Sequence, residues 1–484
     1  MAWEPVIGLE CHIQLRTQSK MFCGCPVLFG SAPDTNVCPV CLGLPGALPR
    51  LNARAVEYAL RLGTALGCDI RAESVFARKH YFYPDMPKNY QITQYDRPLC
   101  EGGELPVTVD GESRGIVLTR IHCEEDAGKS FHPERRGDRR MSRVDFNRAG
   151  VPLLELVTEP VLRTSTECAA FLTALRRLVR WLGISDGDME KGQLRCDANV
   201  SLRPAGTLAL GTKTELKNLN TIKGVERGVT SEIARQAALL DAGERVRQAT
   251  LLYDADHDKL HIMRSKEEAH DYRYFPDPDL PVLRVPAADL RHARESAPEL
   301  PWLREARYRD VQGLPAYDAG VLTESLELSD YFEGCAPEGQ LKFASNWVMN
   351  ELLRVLNERD WTVTQWAERV PPARFRDFLT RVAAKELPGP VAKQVFAWLP
   401  DEHGDVPELL VRHGITVAGG DAELRPLVRA VLDEHPGPLA QWLAGREATF
   451  GFLVGRVMMK SGGQAVPQVV NRLLREELEA RRGS

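Results

Sequence analysis

In VIGLECHIQL, residues 6–15, the apolar side chains Ile7, Leu9, Cys11, Ile13 and Leu15 alternate with Gly8, Glu10, His12 and Gln14. Period two is the pattern of a strand with one dry and one wet face. The same alternation runs through LRCDANVSLR, where Arg195, Asp197, Asn199 and Ser201 oppose Cys196, Ala198, Val200 and Leu202, and through TKTELKNLN, where Lys213, Glu215 and Lys217 share a face. Three further strands are predicted at 120–126, 143–147 and 153–159. They place Asp145 with Arg143 and Asn147, and point Glu155 away from Leu154 and Leu156. Two stretches switch to the helical period: one from Asn52 to about Gly67 with Val56, Leu60, Gly63 and Leu66 on a stripe, and one opened by the capping box Thr164/Glu167 and closed by Gly183. The expected architecture is α+β, a mainly antiparallel-sheet cradle domain with flanking helices over 1–293. From 294 the strand pattern stops. Residues 318–400 read as amphipathic helices, ASNWVMNELLRVLNER among them, and the linker at Pro400–Pro407 with Gly419 and Gly420 marks another boundary. An all-α helical domain over 294–406 and an all-α tail domain over 407–484 are expected.

Charge changes this picture little. Against 67 Asp and Glu the 484 residues carry 62 Lys and Arg, so any nucleic-acid contact comes from local basic patches and not from a bulk field. The amino-terminal segment has no basic, apolar leader and no stretch approaches a membrane span, so a cytoplasmic protein with no membrane contact is expected. Eleven cysteines, several inside strand or helix patterns, argue for reduced thiols.

The candidate chemistry sits on the strands and their connections. Cys23-Gly-Cys25 and Cys38-Pro-Val-Cys41 have the paired spacing that closes a tetrahedral structural zinc site, with four unliganded thiols as the alternative. Glu10 and His12, one strand repeat apart, can reach one ion or two adjacent ions. Glu124, Glu125, Asp126, Asp145, Glu155 and Glu159 concentrate between 120 and 160. Carboxylates converging on one sheet face repel unless a cation lies among them; a solvated face with ordinary ion pairs is the alternative. In RKHYFYPDMPKNYQITQYDRPL, Lys79, His80, Lys88 and Arg97 interleave with five aromatic rings, a composition suited to stacking on bases or to an ordinary tyrosine-rich sheet. Ala127-Gly128-Lys129-Ser130 is no phosphate loop, because Cys123 stands where the first glycine is required. The Arg-rich run 135–143 reads as a loop, and the helix TFGFLVGRVMMK with Arg456, Lys460, Arg472 and Arg475 reads as a surface for RNA backbone or for a partner protein.

Taken together, VIGLECHIQL, KMFCGCP…NVCPVCLGLPGALP, RKHYFYPDMPKNYQITQ, IHCEEDAGK, VDFNRAGVPLLELVTEP, LRCDANVSLRP, TELKNLN, DYRYFPDPDLP and GFLVGRVM closely resemble the GatB/GatE family, the B subunits of aspartyl/glutamyl-tRNA amidotransferases. The resemblance implies a kinase-like cradle, a helical domain and a tRNA-docking tail, in a heterotrimer with the glutaminase, or A, subunit and a small C subunit. It implies ATP-dependent phosphorylation of the side-chain carboxyl of Glu-tRNA(Gln) or Asp-tRNA(Asn), then amidation by glutamine-derived ammonia. On this basis Glu10, His12, Glu125, Asp145, Glu155 and Glu215 are expected to hold magnesium, with Glu10, His12, Glu125, Glu155 and Lys79 as the catalytic set. Lys79, Lys88, Asp197, Glu215 and Lys217 are expected around ATP or the substrate carboxylate, with zinc at the four cysteines. A non-catalytic, zinc-stabilised tRNA-binding scaffold is the competing function. It leaves the clustered Glu10, His12, Glu125 and Glu155 without a role.

Overall fold

In the computed structural model, residues 2–131, 141–255, 257–265, 272–415, 421–462 and 465–482 are described. Most of the Arg-rich run, Gly419 and Gly420 lie outside them. The chain divides into two compact units, Met1–Trp302 and Leu303–Ser484.

The strands of the first unit are, in chain order, β1 (Trp3–Gln14), β2 (Asp69–Ile70), β3 (Glu73–Ser74), β4 (Phe76–His80), β5 (Tyr90–Gln94), β6 (Cys100–Glu101), β7 (Glu104–Val109), β8 (Glu112–Glu125) and β9 (Lys129–Phe131). They continue as β10 (Arg143–Asp145), β11 (Pro152–Thr158), β12 (Leu194–Pro204), β13 (Thr214–Leu219), β14 (Ala249–Asp254), β15 (Lys259–Ser265), β16 (Phe275–Pro276) and β17 (Leu283–Arg284). Ten form one sheet in the order β15-β14-β13-β12-β1-β11-β8-β6-β2, with β7 paired on β8. Among the described residues only β13 and β14 pair in parallel. The long loops between sequential strands let β1, first in the chain, become the centre, flanked by β11 and β12.

Alternation decides which side is dry. Ile7, Leu9, Cys11 and Ile13 of β1 are wholly buried in one cluster with Ala198 and Val200 of β12, Leu154 and Leu156 of β11, and the inner faces of helices α1 (Ala53–Ala65), α2 (Ser165–Trp181) and α3 (Ile222–Asp241). Thr164 and Glu167 make the expected capping box, and Phe171, Leu172, Leu175, Leu178 and Val179 form the buried stripe of α2. In α1, Asn52 is the N-cap, and a side chain at Gly63 would meet Cys100 Sγ at 2.6 Å, so glycine sets how closely this helix approaches the sheet.

The expected strand at 143–147 is shorter, and it leaves the central sheet. β10 pairs only with β9 in a two-stranded ribbon. Asp145 ends it because its Oδ1 accepts from the N–H groups of Asn147 and Asp34, a turn geometry that competes with further pairing. Lys129 starts a strand and no helix, as the rejected phosphate-loop match requires.

The second unit is helical throughout its described residues and holds two separate hydrophobic clusters. The first runs from Tyr308 to Leu409, with Trp366, Phe375, Phe378 and Phe396 at its centre. ASNWVMNELLRVLNER contains a π segment, Val348–Leu352, which sinks Val348, Leu352 and Leu356 and leaves Trp347 and Leu353 half-buried. Helix Val406–Arg412 packs in this cluster through Val406 and Leu409. The second cluster joins Leu424, Val428, Leu453, Val457, Leu473 and Leu478; beside it Arg425 and Arg429 both donate to the buried Glu477.

Candidate active site

The wet face of the central sheet carries a row of four side chains set by register alone. Arg195 on β12 lies opposite His12 on β1, His12 opposite Glu155 on β11, and Glu155 opposite His122 on β8. Glu124, two residues beyond His122, joins the row from the same face. His12 Nε2 stands 3.6 Å from Glu124 Oε1 and 3.6 Å from Glu155 Oε2; His122 Nε2 stands 3.5 Å from Glu155 Oε2 and 3.8 Å from Glu124 Oε2. Glu124, Glu155 and His122 are buried, and His122 Nδ1 has no hydrogen-bond partner.

Each of these contacts is too long for a good hydrogen bond and short enough for several groups to share one ion. His12, Glu124 and Glu155 offer ligand atoms within 4.8 Å of one another. Two carboxylates and an imidazole suit a divalent cation of the magnesium or manganese type. Without one, the histidines carry the balancing charge. Burial opposes a charged His122, yet Glu155 and Glu124 outweigh it and push its pKa up to about 9. Against the same burial, Glu155 and Glu124 also raise His12. Burial pushes Glu155 up, and His122 and His12 overcome this and hold it well below the usual carboxylate range.

Lys79 completes the group. With Gln91, Asp126, Arg195, Tyr81 and Tyr272 it lines an open cavity of about 160 Å³ over His12 and Glu124. Its ammonium is held above the usual lysine value by Glu124 first, against the cost of burial. Arg195 donates to Asp126 at 2.8 Å.

Other expected residues form three separate groups. One repeat along β1, Glu10 accepts from Asn199 at 2.8 Å and faces Asp197 across the strand pair. Lys217 bridges Asp197 at 2.5 Å and Glu215 at 3.0 Å, and Glu215 also accepts from Thr250. A groove of about 400 Å³ runs beside Glu10, lined by Gly8, Val157, Asn199, Leu210, Gly211 and Lys213. Glu215 is thus tied two strands from His12. Asp145 sits on the β9–β10 ribbon and caps a turn.

Glu125 belongs to another place again. It pairs with Lys88 and accepts from the Ile92 N–H at 2.9 Å, in a cavity shared with Phe22, Cys23, Cys41 and Tyr90. The structure therefore joins His12 and Glu155 with Glu124 and Lys79, and does not bring Glu125, Asp145 or Glu215 to them. Adjacent residues on a strand point to opposite faces, so Glu124 and Glu125 cannot share the row. His122, Glu124 and Arg195 are the members that sequence reasoning left out of the site. The alternation in RIHCEE, with His122 and Glu124 in step, was the signal.

Cys23, Cys25, Cys38 and Cys41 converge so that their sulfurs lie within 4.8 Å of one another, all four as free thiols. Cys38 and Cys41 Sγ are 3.9 Å apart, close to the roughly 3.8 Å between ligands of a tetrahedral site with Zn–S near 2.3 Å. A hydrogen bond with Cys23, a backbone N–H from Cys38 and the charge of Lys20 pull the Cys41 thiol down to about 4. Lys20 is wholly buried, its Nζ 3.6 Å from Cys41 Sγ. The donor set fits a closed metal site.

The fold and its wet face define a sheet enzyme domain that gathers carboxylates, imidazoles and a half-buried lysine over one cavity, followed by helical domains. Residues 5–291 match the GatB/GatE catalytic domain and residues 330–478 the GatB domain. The chain belongs to the GatB/GatE family. It is 47% identical over 479 residues to the B subunit of the aspartyl/glutamyl-tRNA(Asn/Gln) amidotransferase of Moorella thermoacetica, covering 99% of this chain and 100% of the relative. It is 46% identical over 480 residues to the corresponding B subunit of Chlorobium chlorochromatii and 46% identical over 483 residues to that of Geobacter sulfurreducens, with 99% of this chain and 100% of each relative covered.

Proposed function

We propose that this chain is the B subunit of a tRNA-dependent amidotransferase that converts Glu-tRNA(Gln), Asp-tRNA(Asn) or both to the amide. The observation that carries the reading is the His12–Glu124–Glu155 group beneath Lys79. A carboxylate resists attack by ammonia because its oxygen is a poor leaving group. Transfer of the terminal phosphoryl group of ATP to the carboxyl oxygen releases ADP and makes phosphate the leaving group; ammonia then adds at the carbonyl carbon, and inorganic phosphate departs. Magnesium, when bound, neutralises the triphosphate as it meets the substrate carboxylate.

The chain's own residues do the remaining work. His12, Glu124 and Glu155 would hold the ion, with Glu10 one repeat away. Lys79, half-buried and cationic, would face the incoming carboxyl and counter its charge. The groove beside Glu10, with Val157 and Leu210 on its walls and Lys213 at its edge, suits the base and ribose of the nucleotide. Ammonia would come from the glutaminase, or A, subunit, with a small C subunit completing a cytoplasmic heterotrimer. The four cysteines would hold a structural zinc, and the residues after 415 would dock the tRNA body.

Among the described residues no helix is long and apolar enough to cross a membrane. A zinc-stabilised scaffold without catalysis gives no account of buried His122, Glu124 and Glu155 gathered with half-buried His12 and Lys79. The test is an assay of the co-purified complex with glutamine, ATP and charged tRNA. Amide formation that requires ATP is the expected result; none with either charged tRNA overturns the reading.

A further inference from the structure

The cavity over His12 and Glu124 opens beside a run of aromatic rings. Nine phenylalanine and tyrosine side chains stand exposed among the described residues, and five of them, Tyr81, Phe82, Tyr83, Tyr95 and Phe275, come from the two segments that supply the cavity mouth. Exposed rings gathered in this way mark a contact surface. Two ring series lead outward from the cavity lining. Lys79 Nζ lies 4.9 Å from the centre of Tyr272, Tyr272 meets Tyr274 edge-on at 6.1 Å, and Tyr274 stacks on Tyr95 at 4.1 Å with planes 7° apart. Tyr95 is 53% exposed. On the other flank Tyr81, in the lining, stacks on Tyr83 at 5.9 Å.

We propose that these rings are a stacking path for the unpaired 3′-terminal nucleotides of the aminoacylated RNA, an inference that rests on the amidotransferase reading above. The amino acid of a charged tRNA is esterified to the terminal ribose, and only a few bonds separate its side-chain carboxyl from that ribose. A carboxyl delivered to Lys79 therefore leaves the last nucleotides at the cavity mouth. Unpaired bases offer π faces and their phosphates bring negative charge. Hydroxylated rings leading to the ammonium of Lys79 in the cavity lining answer both. A folded protein partner would call for a continuous apolar patch; rings spaced in two series suit a strand of nucleotides.

Tyr95→Ala and Tyr274→Ala test the path, with Tyr95→Phe and Tyr274→Phe keeping the ring, all in the complex co-purified with its partner subunits. The alanine variants should raise the KM for charged tRNA about tenfold, and the phenylalanine variants should stay near the parent. Binding of uncharged tRNA should show the same loss, and the difference between Tyr95→Ala and the parent should vanish on tRNA stripped of its unpaired 3′ nucleotides. If half-buried Tyr274 proves necessary for folding, exposed Tyr95 still gives the reading. Unaltered KM in the alanine variants overturns the path. So does a loss that persists on the stripped tRNA, or a rise in the KM for ATP in place of tRNA, which would assign the rings to the nucleotide base. A parent complex that amidates neither charged tRNA refutes the functional reading itself; an active parent with indifferent alanine variants refutes only the stacking path.

Discussion

Glu124 and Glu125 are neighbours on β8, both buried to 2% exposure, and they serve opposite sides of the sheet. Glu124 turns to His12 and His122, and Glu125 turns to Lys88 and the cysteine knuckle. One strand end thereby ties the cation-binding row to the wall of a second cavity. Two adjacent acids can be told apart by what each leaves behind when its charge is removed.

Glu124→Gln should weaken Mn²⁺ binding, used as a spectroscopic stand-in for magnesium, by orders of magnitude, because the remaining His12 and Glu155 give the ion one carboxylate. Glu125→Gln should leave Mn²⁺ binding close to the parent. It should instead lower stability by about 3–5 kcal/mol, because Lys88 keeps a buried charge without its partner. Paramagnetic titration and denaturant unfolding separate the two. Loss of Mn²⁺ in Glu125→Gln with full binding in Glu124→Gln would exchange their roles.

The pH dependence should reverse in sign between the metal-free and metal-loaded protein. His12 and His122 are both raised above the ordinary histidine value, so in metal-free protein their protonated forms stabilise the fold. That stability is complete below about pH 6.5, the unfolded value, and is lost as pH rises through their folded values, about 9 for His122. Ligation by His12 requires the neutral ring, so Mn²⁺ affinity should rise over the same range. Calorimetric Tm in magnesium-free buffer that keeps zinc should fall from pH 6.5 to 9, while the stabilisation added by Mn²⁺ grows. A Tm independent of pH in this window would show that the histidines do not carry the balancing charge.

Much of this was legible in the chain because the informative strands alternate cleanly. β1 and β12 gave up both their faces, so Glu10, His12, Arg195 and Asp197 could be set on the wet side from their spacing. The α2 capping box was equally local. What alternation cannot give is neighbourhood: β1 finds its partners more than 130 residues away, so nothing near His12 in sequence says that Glu155 and Glu124 surround it. β8 adds a second difficulty. Its last residues are buried on both faces, so polarity alone does not say which of Glu124 and Glu125 looks toward β1. Asp145 was misread because a three-residue ribbon strand and a sheet strand share the same short pattern.

The cysteine group gives a sharp measurement. Four sulfurs at tetrahedral spacing should retain about one zinc per chain on elemental analysis. Cys38→Ser should release it and lower the Tm of the first unit, since the knuckle then has only three thiolates. Lys20 should remain inaccessible to amine reagents until the zinc is removed. A parent protein without zinc, whose four thiols react freely under native conditions, would make the group an ordinary cysteine pocket.

The tail prediction turns on which of its basic residues still have charge to offer. Lys460 is paired with Glu434, and Arg472 with Asp421 and Glu476, so neither adds net positive charge to a surface. Arg456 and Arg475 instead lie over Phe452 and Phe450, each at 5.2 Å, with no acidic partner among the described residues. If the tail docks tRNA through phosphates, Arg456→Ala and Arg475→Ala should each weaken binding across tRNA species and reduce the salt slope by about one. Arg472→Ala should change affinity much less and should instead loosen the helix pair it ties to Asp421. Truncation after Ile415 is the complementary test. Helix Val406–Arg412 packs in the preceding helical cluster, so a cut at 407 would damage that cluster and confuse the result. The complex truncated after Ile415 should bind charged tRNA more weakly while its partner still hydrolyses glutamine. Unaltered tRNA affinity in that complex, with one of its partners lost during purification, would assign the tail to protein and not to RNA.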